Sequence, residues 1–194
     1  MHGVAMLWHR QRLQQAGYRT LLFSYPTVRR SAFENVVALQ ARIEQLATEQ
    51  VHYLAHSLGG LVVRHLFARY PDQPPGRVVT LGTPHCGSAT AELLTRHGLG
   101  FALGRSVDQA LLPPAPSWPL ERQLGSLAGT LSVGLGRWLS MLPTPNDGTV
   151  TVAETCCEGM TDHLCLPVSH SSMLFSPAVA DQAMAFFATG RFRH

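Results

Sequence analysis

The sequence predicts an α/β protein: a mostly parallel β-sheet with helices on both faces. Three observations lead there. Short apolar runs of strand length alternate with longer runs of helical periodicity from residue 18 onward. Such alternation makes parallel crossovers and covers a sheet on both sides. One strand-to-helix junction carries Ala55-His56-Ser57-Leu58-Gly59-Gly60, a compact turn between two apolar elements. The chain of 194 residues, 45% hydrophobic and 14% charged, is long enough for one domain with a sizeable core.

Taken in order, residues 4–16 read as a helix ended by Gly17, and residues 18–25 as a strand stopped by Pro26. Ser31-Ala32-Phe33-Glu34 is a capping box opening a helix that runs through Ala47, with Phe33, Val36, Val37, Ile43 and Leu46 expected toward the core. Residues 51–54 read as a short buried strand, and Leu58 begins a helix apolar on most faces that stops before Pro71. After a turn at 71–76, residues 77–82 form the next strand. Residues 98–120 break the pattern with Gly, Leu and Pro, and serve either as a rigid surface linker or as a lid. Residues 124–130 read as a weak strand containing Gly125 and Gly129, and residues 164–168 as a further strand. Ser176 caps the last helix, Pro177 opens it, Gly190 ends it, and Val179, Ala183, Met184, Phe186 and Phe187 pack inward. With no internal repeat, residues 1–194 form a single domain.

Ser57 is the residue that carries chemistry. A serine at a strand-to-helix turn is held in a tight, strained backbone position that pushes its hydroxyl clear of the chain. The first N–H groups of the following helix point at whatever that oxygen attacks. Strand and helix nearly touch at such a turn, so small residues are needed two positions to either side, and Ala55 and Gly59 meet that need. This is a nucleophile elbow, and it points to a serine hydrolase.

His2-Gly3, the elbow, Leu81-Gly82-Thr83-Pro84, Asn146-Asp147-Gly148-Thr149-Val150 and Ser169-His170 occur in the order found in lipases of the α/β-hydrolase fold. The chain resembles the bacterial lipase/esterase branch, with some likeness to GPI-inositol-deacylase-type lipases. It departs at the first elbow position, where Ala55 stands for the usual Gly. The resemblance implies ester hydrolysis through an acyl-serine, with no cofactor. In that fold the acid and then the base follow the serine in the chain, each on a loop after a strand.

Ten histidines compete for the base. His52, His56 and His65 lie on or beside the elbow's own elements, too local to reach back onto Ser57. His85 and His97 come too early, and His163 begins a strand. His170, after the last strand and before the last helix, stands where the base belongs. For the acid, Asp72, Asp108 and Asp181 fall in a distant turn, the lid-like segment and the last helix. Asp147 in its Asn-Asp-Gly loop is preferred, with Asp162 as the competitor at the start of the last strand. The oxyanion requires two backbone donors. One is the N–H after the nucleophile, Leu58, and the other, by resemblance, is that of Val4 after His2-Gly3. The lid reading places an apolar acyl pocket beneath residues 98–120, lined by leucines, Phe101 and Trp118.

Composition narrows the partners. The net charge of +3, without a basic run interleaved with aromatics, argues against nucleic acid. No apolar run is long enough to span a bilayer, and no signal-peptide pattern opens the chain, so a cytoplasmic location is expected; a small-molecule or lipid ester as substrate is what the resemblance implies. Cys86, Cys156, Cys157 and Cys165 lack paired metal-ligand spacing. They are expected as free thiols rather than as a metal cluster of Cys157, Cys165 and His163. An acyltransferase using the same machinery is the nearest alternative, and a non-catalytic, truncated remnant of the fold is another. The remnant reading has a structural basis. The resemblance requires a central strand between the one at 18–25 and the elbow strand, ending at His2-Gly3, and only Met1 precedes it here. A gap one strand wide, or direct pairing of its two neighbours, is the expected consequence.

Overall fold

The computed structural model describes residues 3–24, 31–46, 48–89, 115–133 and 143–194. Strands β1 (Tyr53–His56), β2 (Val78–Leu81), β3 (Leu124–Gly129) and β4 (Asp162–Leu166) pair in that order, all parallel. Ala55 stands opposite Thr80, Thr80 opposite Ser126, and Ser126 opposite His163. The described helices are α1 (Leu7–Gln15), α2 (Ala32–Glu44), α3 (Leu58–Arg69) and α4 (Pro177–Thr189), with a 3-10 turn Gly3–Met6 ahead of α1.

The period-2 alternation of the strands divides the core into two layers. Tyr53, Ala55, Val78 and Leu124 point to one face, against Val36, Leu39 and Ile43 of α2 and Val62, Val63, Leu66 and Phe67 of α3. Val79, Leu81 and Leu127 point to the other, against Val179, Ala183, Phe186 and Phe187 of α4 and, at the margin, Leu13 of α1. Helices therefore cover both faces of a parallel sheet, as the sequence predicts. At Gly125 the sheet is tightly covered: an added Cβ would lie 2.6 Å from a ring carbon of Phe192 and 2.7 Å from one of Phe186.

Local signals in the sequence set the helix ends. Ser31 accepts from the Glu34 N–H while Glu34 accepts from the Ser31 N–H, a complete capping box. Ser176 caps α4 with Pro177 in its first turn, and Gly190 closes it at φ +77°. The core face of α2 differs from expectation. Asn35, Val36, Leu39 and Ile43 are buried, whereas Phe33 and Val37 are exposed at 51% and 40%. Phe33 instead lies under the Arg69 guanidinium, 4.1 Å from its ring centroid. That helix ends at Glu44, and Ala47 lies outside the described residues.

The strands are also displaced from their expected spans. β1 covers Tyr53–His56 rather than 51–54, because the first bonds of that run go to turn residues, as from Val51 N–H to Pro75 O. β4 stops at Leu166 because Pro167 has no N–H and the Val168 N–H turns back onto Leu166 O. Residues 18–24 are in no strand, and Tyr25 lies outside the described residues. Residues 18–23 face β1 across a cavity of about 640 Å³. Most of the expected lid, including Phe101, also lies outside the described residues. Trp118, expected to line an acyl pocket, is instead a core residue at 3% exposure, edge-on to Phe67, its indole N–H donating to Arg122 O.

His85 follows β2 and is buried at 2% exposure, sharing a hydrogen bond of 3.1 Å with Thr80 Oγ1. Burial, reinforced by the Arg64 charge, lowers its pKa from 6.5 to about 3. A histidine with a depressed native pKa binds its proton only on unfolding, so its share of stability is complete above pH 6.5 and is lost as pH falls toward 3. We predict that urea unfolding between pH 6.5 and 5 shows stability falling with acidity. His85→Gln should flatten that slope by up to about 1.4 kcal/mol per pH unit. An unchanged slope would contradict the assignment of a neutral, buried His85.

Candidate active site

The site is assembled at the carboxyl ends of the parallel strands, where the loops leaving β1, β2 and β4 converge. Ser57 is the turn between β1 and α3, at φ 54° and ψ −128°. It is the sole described non-glycine residue with positive φ, a conformation that costs an L-residue on the order of 1–3 kcal/mol. Neighbouring groups hold it there. The Ser57 N–H donates to Leu81 O at 2.8 Å, and the Thr83 hydroxyl donates to Ser57 O at 2.8 Å. Gly60 makes a tight approach of its own, where an added Cβ would lie 2.3 Å from Thr83 Oγ1.

The structure brings Ser57, His170 and Asp147 into one line. His170 Nε2 lies 3.0 Å from Ser57 Oγ, and His170 Nδ1 lies 2.7 Å from Asp147 Oδ2. The Asp147 side chain is 1% exposed and that of His170 is 13% exposed, so the pair is screened from water while the histidine edge stays reachable. The other carboxylate oxygen, Asp147 Oδ1, accepts from the Thr149 and Val150 N–H groups at 2.9 and 2.7 Å. The His170 N–H donates to Asp147 O at 2.8 Å, tying the two loops together through the backbone. Gly148 at φ +93° permits the tight turn, and its N–H donates to Asn146 Oδ1.

Asp162 is placed elsewhere. Its carboxylate accepts from the His163 and Phe192 N–H groups and meets the His194 ring, which anchors the C-terminal segment to β4. Leu58 is the first residue of α3, so its N–H has no intrahelical acceptor. Val4 lies in the 3-10 turn Gly3–Met6, and Met6 at the end of that turn borders the same cavity as His56 and Gly59. His2 lies outside the described residues.

Three supporting residues escaped the sequence reading. His56, set aside as a base, lies 4.6 Å from His170 between ring centroids, and its Nε2 is 2.9 Å from His170 O. Burial, joined by the neighbouring His170, holds its pKa down at about 3, so it stays neutral there. Gly82, at φ +53°, leaves no room for a side chain: a Cβ would lie 2.9 Å from Asp147 Oδ2 and 3.0 Å from His170 Nδ1. Gly129 does the same behind Asp147, where a Cβ would meet Val168 O at 2.4 Å. In the sequence Gly82 is marked only by the Leu81-Gly82-Thr83-Pro84 motif at a strand end, and Gly129 only by its place near the end of a weak strand. Among the described residues no cluster of His, Cys, Asp or Glu could hold a metal ion. The four cysteines are free thiols.

No protein-family model and no curated protein matches the chain. Solved structures do. The chain is similar to the lipase BlEst2 of Bacillus licheniformis in mature form, at 22% identity and a TM-score of 0.63, over 87% of this chain and 77% of that one. Against the propeptide form of BlEst2 the TM-score is 0.74 at 19% identity, covering 100% of this chain and 48% of that chain. A pyrethroid hydrolase from Sphingobium faniae JZ-2 matches at 15% identity and a TM-score of 0.69, over 97% and 93% of the two chains. Phospholipase PlaB of Legionella pneumophila matches at 16% identity and a TM-score of 0.60, over 97% of this chain and 54% of that one. Together with the parallel sheet, its covering helices and the turn at Ser57, these likenesses show that the chain has the α/β-hydrolase fold.

Proposed function

We propose that the protein is a serine hydrolase that cleaves carboxylic esters of small molecules or lipids through an acyl-serine intermediate. The observation that carries this reading is the continuous contact from Ser57 Oγ through the His170 ring to the buried Asp147 carboxylate. A serine hydroxyl is nearly inert at neutral pH without a base to take its proton. In the proposed reaction, Ser57 Oγ attacks the ester carbonyl as His170 Nε2 takes the hydroxyl proton. Asp147 holds the His170 tautomer that leaves Nε2 free and stabilises the imidazolium. The oxyanion forms beside the N–H of Leu58, with the N–H of Val4 as the second donor. The proton on His170 passes to the departing alcohol, and water, activated by the same histidine, then releases the acid. Likeness to lipases and esterases of the same fold supports the reaction class. The narrower kinship with GPI-inositol-deacylase-type lipases rests on the order of the sequence motifs alone. Four unpaired cysteines fit the expected cytoplasmic setting.

Ser57→Ala should abolish hydrolysis of a p-nitrophenyl ester while leaving the far-ultraviolet circular dichroism unchanged. Wild-type turnover in that variant would refute the assignment. For the acid, Asp147→Asn should lower kcat by about 10⁴-fold. Asp162→Asn should affect stability at the C-terminus and leave kcat near wild type. Near-normal kcat in Asp147→Asn together with an inactive Asp162→Asn would move the acid to Asp162.

A further inference from the structure

Away from the catalytic line, the fold brings the four cysteines of the chain into one region. Cys86 follows β2, Cys156 and Cys157 follow the 3-10 turn Ala153–Thr155, and Cys165 lies on β4. Charge on Cys86 acts on the Cys156 and Cys157 thiols, and charge on Cys156 acts on Cys157 and Cys165. Direct contact singles out one pair. The Cys86 thiol donates to Cys156 O at 3.1 Å, and the Cys86 N–H donates to Glu154 O at 3.3 Å. Cys86 thus rests on the backbone of the residue whose thiol it has to meet.

The other pairings are poorer. Cys156 and Cys157 are adjacent, which disfavours a bridge between them. Cys157 is 5% exposed and packs in the layer with Phe67 and Trp118, its thiol donating to Glu158 O. Cys165, exposed on β4, is the competitor for Cys156.

The contact between Cys86 and Cys156 lies in a seam between two loops of the site. Glu154 closes that seam. One of its carboxylate oxygens accepts the Ala89 N–H, and the other accepts the Thr151 N–H at 2.6 Å. Thr151 is bridged to Asn146, next to Asp147, while Thr83, earlier in the loop of Cys86, donates to Ser57 O. The seam therefore joins the loop that holds the Ser57 backbone to the loop that carries Asp147.

We propose that Cys86 and Cys156 are an oxidisable dithiol that closes to a disulfide across this seam. The oxidant is a low-molecular-weight disulfide such as glutathione disulfide. The Cys86 thiolate attacks one of its sulfurs, forming a mixed disulfide and releasing one glutathione thiolate. The Cys156 thiolate then attacks the Cys86 sulfur of the mixed disulfide and releases the second. The two protons lost by the cysteines pass to the two glutathiones, so the pair is oxidised by two electrons and the reagent reduced by two. Access sets the order. Cys86 is exposed, whereas burial, joined by the Cys86 charge, holds the Cys156 pKa above its ordinary value. The bridge closes a loop 70 positions long, which restricts the unfolded chain more than the folded one. This inference goes beyond the hydrolase reading and does not rest on it.

The test incubates the reduced 194-residue chain with excess glutathione disulfide, then maps its peptides without reduction and follows thermal unfolding. The expected result is one Cys86–Cys156 bridge within the chain and a melting temperature raised by at least about 5 °C. A reductant should reverse both effects. Cys86→Ser should prevent both, and Cys165→Ser should leave both in place. A lasting glutathione adduct on Cys86 without a bridge overturns the proposal, as does no reaction at either cysteine. Bridging of Cys156 to Cys157 or Cys165, or between two copies of the chain, overturns it as well. So does a Cys86–Cys156 bridge that leaves the melting temperature unchanged or lowers it, because such a link would form only by disturbing the seam.

Discussion

The backbone at Ser57 is the constraint on which the site depends. A serine in that conformation is uphill by itself, and three neighbouring elements keep it there. β2 accepts its N–H, Thr83 after β2 donates to its carbonyl, and Gly60 lets α3 approach closely enough for that contact. The parallel sheet supplies the rest of the geometry. Because every described strand runs the same way, the loops after β1, β2 and β4 emerge at one end of the sheet. Ser57, Gly82 and His170, distant in sequence, therefore meet there.

The second layer of organisation is the hydrogen bonding behind His170. Its ring is held between a hydroxyl and a carboxylate, and its backbone is held by Asp147 O and His56 Nε2. Asp147 in turn spends its other oxygen on two backbone N–H groups. Such double fixation keeps the donor and acceptor atoms within reaction distance without help from a bound ligand. The absence of side chains at Gly82 and Gly129 is part of the same arrangement, since either Cβ would press on the carboxylate or its loop. Supports of this kind hold the Ser57, His170 and Asp147 side chains in hydrogen-bonding contact.

Much of this was legible in the sequence where the signal is local. The Ser31–Glu34 box, the Pro177 start and the Gly190 stop depend on residues within a turn of one another, and the structure has all of them. The expected trio of Ser57, Asp147 and His170 is brought together, because strand–loop order restricts which loops can meet. The misreadings concern contacts that sequence spacing does not encode. Phe33 and Val37 satisfy a helical stripe, yet α3 packs against the neighbouring stripe of Val36, Leu39 and Ile43. Residues 18–24 have strand composition, but a strand exists only with a partner, and a cavity lies where that partner would run. Gly82 reads as a strand end, while its role is set by two side chains far away in the chain.

The central claim is that Ser57 is an activated nucleophile, and the most direct measurement is labelling with a fluorophosphonate probe followed by mapping of the modified peptide. An unactivated serine does not react with such a probe at neutral pH, whereas one paired with His170 attacks phosphorus and retains the adduct. The account predicts a single adduct on Ser57, lost in Ser57→Ala and strongly slowed in a His170→Ala variant. An unlabelled folded protein, or an adduct on another serine, would contradict it.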